Sequence, residues 1–111
     1  MNAQKALDLI NPIPAEEFIE YAFTNGENAC CFIGHLQRLT SKDPTDYSIK
    51  NCVDNTDNPI RALSKFFIKE AYKIDATIVE VNNYTDVNGY NEPVIKDRLV
   101  HCLTDMVAAG Y

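Results

Sequence analysis

Five prolines and two Asn-Gly pairs decide where this chain can coil. Proline lacks the amide that a helix interior needs, and it pushes the residue before it toward extended backbone, so it marks helix starts and stops. Ala3, Ala6, Leu7 and Ile10 recur at helical spacing until Asn11-Pro12, which predicts a first helix over 3–10. Pro14 suits the first turn of a second helix, with Glu16 and Glu17 at its positive end, Phe18, Ile19, Ala22 and Phe23 inward, and Asn25-Gly26 as its stop. A third helix is expected from Asn28, as cap, to Leu39, with Phe32, Ile33, Leu36 and Leu39 on one face and Cys30 and Gly34 behind. Gly34 costs such a helix about 1 kcal/mol, which makes sense where another element approaches closely.

Residues 40–58 are rich in Ser, Thr, Asp and Asn and read as a long connection. Asn58-Pro59 opens the best-marked helix, to Lys73. Thr77-Ile78-Val79-Glu80-Val81 is β-branched and reads as a strand, followed by a polar loop over 82–91 with the Asn88-Gly89 turn signal. A last helix runs from Glu92-Pro93 to Gly110 with Ile95, Leu99, Leu103 and Met106 inward. The expectation is one domain over 1–111, mainly α (α+β), with four to five helices and at most a small two-stranded sheet.

Composition narrows the function classes. With 111 residues, 46% of them apolar, the chain can bury a core without metal or disulfide. Sixteen acidic residues against ten basic give a net charge of -6, which disfavours general nucleic-acid binding and anionic membranes. No window resembles a membrane span or a signal peptide, and Cys30, Cys31, Cys52 and Cys102 do not form a secreted disulfide pattern. A cytoplasmic protein with reduced thiols is expected.

Within the helix predicted over 59–73, Ile60, Leu63, Phe67, Ala71 and Ile74 fall in about 80° of arc, while Arg61, Lys65, Lys69 and Lys73 lie opposite. A solvated face explains such a row. So does a contact surface for an acidic protein partner or a small anionic ligand, because Ile68 and Tyr72 project beside the cations. The loop holding Tyr84 and Tyr90 reads either as a structural turn or as a recognition loop, since Tyr and Asn together give rigid contact area and adaptable hydrogen bonds. An EF-hand register fails there, because it places Tyr84 and Ile95 where carboxylates are required.

Cys30 and Cys31 at a predicted helix start, with His35 four residues after Cys31, admit a thiol nucleophile and base; packed core is the plainer reading. A metal would need Cys52 and His101 or Cys102 as further ligands, and no second close-spaced pair supports it. His101 projects away from the core face between Asp97 and Asp105 and reads as a surface residue. There is no phosphate loop, nucleophile elbow or His-Glu-x-x-His motif, so no cofactor is implied.

The run Asn28-Ala29-Cys30-Cys31-Phe32-Ile33-Gly34-His35-Leu36, with Val79-Glu80-Val81-Asn82-Asn83 and a helix ending Asp105-Met106-Val107-Ala108-Ala109-Gly110-Tyr111, resembles a family of small uncharacterised bacterial and phage proteins. That family has a Cys-x-x-Gly core helix and an Asn-Asp where this chain has Asn82-Asn83. The resemblance carries no activity. It implies a phage or mobile-element setting, in which a small acidic protein binds or inhibits a host component.

Overall fold

A computed structural model of the chain describes residues 2–40, 78–87 and 89–111. The described residues are mainly helical: α1 (Ala3–Ile10), α2 (Phe32–Thr40), α3 (Ile78–Asn83) and α4 (Ile95–Ala108), with a single 3-10 turn at Ala15–Glu17. Among these residues β structure is confined to two isolated bridges, Phe18 with Cys30 and Val87 with Tyr90. The expected connection over 40–58 and the helix over 59–73 lie outside the described residues, apart from Thr40, which ends α2.

The first helix has the predicted bounds. Asn2 caps it by accepting the Lys5 amide at 2.8 Å, and Ala3, Ala6 and Ile10 are buried. Small residues at Ala3 and Ala6 let α1 lie close to α4, and the Ala3 amide reaches the Tyr111 carbonyl at 3.0 Å. Leu99, Cys102, Leu103 and Met106 of α4 meet Ile10, Phe32, Leu36, Ile78 and Val81 in one core. A fully buried aliphatic or aromatic side chain contributes roughly 1.5–3 kcal/mol, so this cluster is the main source of stability.

Three sequence expectations are corrected. The helix foreseen after Pro14 stops after one turn, because its backbone finds partners elsewhere. Phe18 bridges to Cys30 through Cys30 N–H to Glu17 at 3.0 Å and Ile19 N–H to Cys30 at 3.1 Å, and Tyr21 has φ +62°, which no α-helix permits. Residues 18–30 are therefore a loop whose ends are tied together, with Asn25 and Thr24 side chains accepting the Glu27 and Gly26 amides at its tip. The third helix begins at Phe32 rather than after Asn28, since Ala29, Cys30 and Cys31 are bonded to Asn25, Glu17, Ile19 and Ala22 of that loop.

The third correction concerns 78–83, which is helix α3 and not strand. Its β-branched residues would favour a strand with a sheet to join. What decides instead is Arg98, from α4. Its side chain is 1% exposed; Nε donates to Val81 O at 2.8 Å, Nη2 to Asn82 O at 2.8 Å, and Nη1 to the Glu92 and Pro93 carbonyls at 2.9 and 3.3 Å. Carbonyls of the last turn of a helix have no intrahelical partner, and a cation there also suits the helix dipole. Glu20 adds a carboxylate at 3.8 Å from Nη2.

The close approach foreseen at Gly34 is present: a Cβ there would stand 2.0 Å from the Phe23 carbonyl oxygen. The loop 18–30 thus lies directly on α2.

Replacing Arg98 by Ala leaves the buried carbonyls of Val81 and Asn82 and the half-buried one of Glu92 without their donor, and the expected loss is about 3–5 kcal/mol of unfolding free energy. Urea denaturation monitored by far-UV circular dichroism measures it. Arg98→Lys should restore less than half of that loss, because one ammonium cannot span the same carbonyls.

Candidate functional site

The best-defined surface feature of the described residues is built from the end of α3 outward. Asn82 is 2% exposed and makes contacts in three directions. Its Oδ1 accepts the Phe32 amide at 2.9 Å, its Nδ2 donates to Ile19 O at 2.9 Å and to Asn83 Oδ1 at 3.0 Å, and its own carbonyl takes Arg98. One amide side chain therefore caps α2 from fifty residues away and holds the start of the loop.

Asn83 continues the network to the surface. Its Oδ1 also accepts the Tyr21 amide at 2.9 Å, so the loop is pinned where its backbone is least relaxed. A bulky residue at positive φ costs on the order of 1–2 kcal/mol. The Tyr21 side chain, 64% exposed, meets Tyr84, 50% exposed, with ring centroids 5.6 Å apart and planes at 73°. Tyr84 directly follows α3, and its amide closes a further turn onto Glu80 O at 2.8 Å. Lost hydration, the Tyr84 hydroxyl and the nearby charge of Glu20 all push the Tyr21 hydroxyl pKa above its usual value. Two exposed aromatic rings at an edge-to-face angle, one held through Asn83 and the other by the last turn of α3, make an apolar corner.

Of the two tyrosines expected in a recognition loop, Tyr84 is exposed and Tyr90 is not. Tyr90 is 7% exposed; its hydroxyl donates to Asp105 Oδ2 at 3.0 Å and its ring stands edge-on to His101 at 4.7 Å. Burial foremost, then Cys102 and Asp105, drives its pKa upward. Tyr90 closes a turn, accepting from Asp86 and donating to Val87, with Gly89 at φ +83°. That part of the loop is structural. His101 is exposed as expected, but its near carboxylates are Glu92 at 2.5 Å and Asp105 at 3.6 Å. Among the described residues no three His, Cys, Asp or Glu side chains are grouped to hold a metal.

The thiol nucleophile is not assembled. Cys30 is 2% exposed in its bridge. Cys31 immediately precedes α2: its carbonyl accepts the His35 amide at 2.9 Å and its Sγ accepts weakly from the Gly34 amide at 3.4 Å. Amides at a helix start favour a thiolate, yet burial outweighs them and the Cys31 pKa is raised. His35 is fully buried, with its Nε2 donating to the Glu17 carbonyl at 2.6 Å and its Nδ1 accepting from Arg38 Nε at 3.1 Å. Both ring nitrogens are engaged, and burial, helped by the Arg38 charge, lowers its pKa. Its ring lies 4.5 Å from Phe18. This histidine fastens the loop to α2. Cys102 is likewise core, its thiol pushed up to about 12 by burial and the nearby Asp105.

Arg61, Lys65, Lys69, Tyr72 and Lys73 lie outside the described residues. A cleft of about 310 Å³ opens beside α2, lined by Glu17, Thr24, Glu27, Asn28, Cys30 and Arg38. Two acidic residues against one guanidinium already shared with His35 do not suit an anionic ligand.

Compared with known proteins, the chain matches no family model, and no curated protein or solved structure is significantly similar to it.

Sequence reasoning missed Tyr21, Asn82 and Arg98. Arg98 did leave a signal: it falls between Ile95 and Cys102 on the apolar arc of α4, where a cation needs a buried partner. Position 83 acts through one acceptor oxygen, which an amide and a carboxylate both supply. Asn83→Asp is accordingly expected to stay within about 0.5 kcal/mol of the parent, while Asn83→Leu loses about 1–2 kcal/mol by removing the acceptor shared by the Tyr21 and Asn82 donors. Paired urea denaturation curves separate the two.

Proposed function

We propose that this chain is a protein-interaction module, an accessory or inhibitory protein that acts by contact through the face carrying Tyr21 and Tyr84. The observation that carries the reading is the exposed tyrosine pair itself. Large exposed rings are enriched at the centres of protein contacts, where they give area at little entropic expense. Here that advantage is increased, because Asn82 and Asn83 hold the backbone of one ring and α3 that of the other. Tyr21 stands at positive φ with its ring 64% exposed, and the ring it meets, Tyr84, is itself half exposed, so the pair adds little to the buried core.

The phage or mobile-element setting implied by the sequence resemblance suits such a module, whose target would be a component of the host. The cationic row at Arg61, Lys65, Lys69 and Lys73 would then offer a second contact of opposite sign.

A photo-crosslinking amino acid in place of Tyr84, in full-length protein expressed in the source organism, tests the proposal. The expected outcome is one or a few discrete crosslinked proteins that are absent when the same group replaces Gln4 on the exposed side of α1. Equal labelling from both positions, or none from position 84, would count against it.

A further inference from the structure

The charge around the tyrosine pair specifies the partner's chemistry. Residues 6–37 and 78–95, which hold the loop, α2 as far as Gln37, α3 and the turn after it, contain eight Asp and Glu and not one Lys or Arg; Arg38, in the last turn of α2, bonds to the buried His35. Three of those carboxylates flank the two tyrosines along the chain, and Glu20 also acts on the Tyr21 hydroxyl through its charge. Glu20 precedes Tyr21, with its side chain 43% exposed. Glu80 lies one helical turn before Tyr84 and so on the same side of α3, and Asp86, exposed at φ +63°, lies two residues beyond it. Arg98 lies 3.8 Å from Glu20 and offsets part of its charge, but it is 1% exposed and bonded to backbone carbonyls, so Glu80 and Asp86 carry most of the uncompensated charge here.

Resting on the reading of this face as a contact surface, we propose that its occupant is a basic protein segment whose Arg or Lys side chain lies against the Tyr21 and Tyr84 rings and within reach of the Glu20, Glu80 and Asp86 carboxylates. Two rings at 73° leave a ring face open beside a ring edge, and a flat guanidinium covers such a face while its N–H groups bond to flanking carboxylates. An acidic or phosphorylated segment meets repulsion from the same three groups. A neutral apolar segment would leave them desolvated and unpaired. Tyr21 and Tyr84 thus supply the contact area, and the carboxylates choose the sign of what covers it.

The test uses the full-length chain, labelled with nitrogen-15, and two ten-residue peptides. In one, Arg and Lys alternate with Gly and Ser; in the other, Gln replaces every Arg and Lys. Titration with the basic peptide is expected to shift the amides of Glu20, Tyr21, Tyr84 and Asp86 first. Tyr84→Ser should weaken binding about three- to fivefold, as expected for loss of an exposed cation-aromatic contact. Glu80→Gln with Asp86→Asn should weaken it by a similar factor, and raising salt from 50 to 300 mM should also weaken it, because the attraction is between solvent-exposed charges. These two substitutions leave Glu20 and the Arg98 network untouched.

If the Gln peptide binds the same face as tightly, the basic partner is wrong although the contact surface survives. If Tyr84→Ser changes nothing, or the basic peptide moves Asp8, Glu27 and Asp105 as much as Tyr21 and Tyr84, the attraction is diffuse and the tyrosine site falls with it. Absence of any shift with the basic peptide also overturns the inference.

Discussion

A guanidinium shut away from water must find its hydrogen bonds inside the protein, and in this fold that requirement organises everything around α3. Arg98 reaches out of α4 to the final carbonyls of α3 and to the chain entering α4. A six-residue helix rich in β-branched side chains has little stability of its own. With its last turn capped by a buried cation, and Ile78 and Val81 packed into the core, it becomes a fixed platform. The charge is accepted there because donors are spread over several dipoles rather than left facing hydrocarbon.

From that platform the order passes outward through two adjacent amides. Asn82 turns inward and serves α2 and the loop at once; Asn83 turns outward and holds Tyr21. On the opposite side of the loop, Gly34 admits the Phe23 backbone and His35 holds Glu17. A loop tied at both flanks can retain a strained residue, because relaxing Tyr21 would break contacts worth more than the strain. The exposed tyrosine corner is therefore tied to the core through Asn82 and Asn83, and such preorganisation is what makes a surface feature useful for recognition.

What was legible in the sequence was whatever local spacing controls. α1 could be read to the residue because its apolar repeat and the Asn11-Pro12 stop are contained within eleven positions. The inner face of α4 was legible for the same reason, and Gly34 betrayed a close neighbour because glycine inside a helix needs one. The segments that were misread take their partners from far away. Residues 18–30 give up helix because Ile19 and Tyr21 bond to side chains of 82 and 83, and 78–83 gives up strand because its carbonyls meet Arg98. Neither exchange has any local trace. The site was half legible: Tyr84 follows from a polar loop with an aromatic, whereas Tyr21 sits in a segment that scans as helix and Tyr90 disappears beneath a hydroxyl bond to Asp105.

The central claim is that buried amide and guanidinium contacts, rather than local propensity, hold the exposed loop in place. Residue-resolved hydrogen exchange under native conditions addresses it directly through the Tyr21 and Phe32 amides, whose acceptors are side-chain oxygens of Asn83 and Asn82. Both amides should be protected to a degree approaching that of Leu103 in α4, and both should lose at least about tenfold of that protection in Asn82→Ala. Exchange of the Tyr21 amide near the rate of an unstructured peptide in the parent protein would contradict the account.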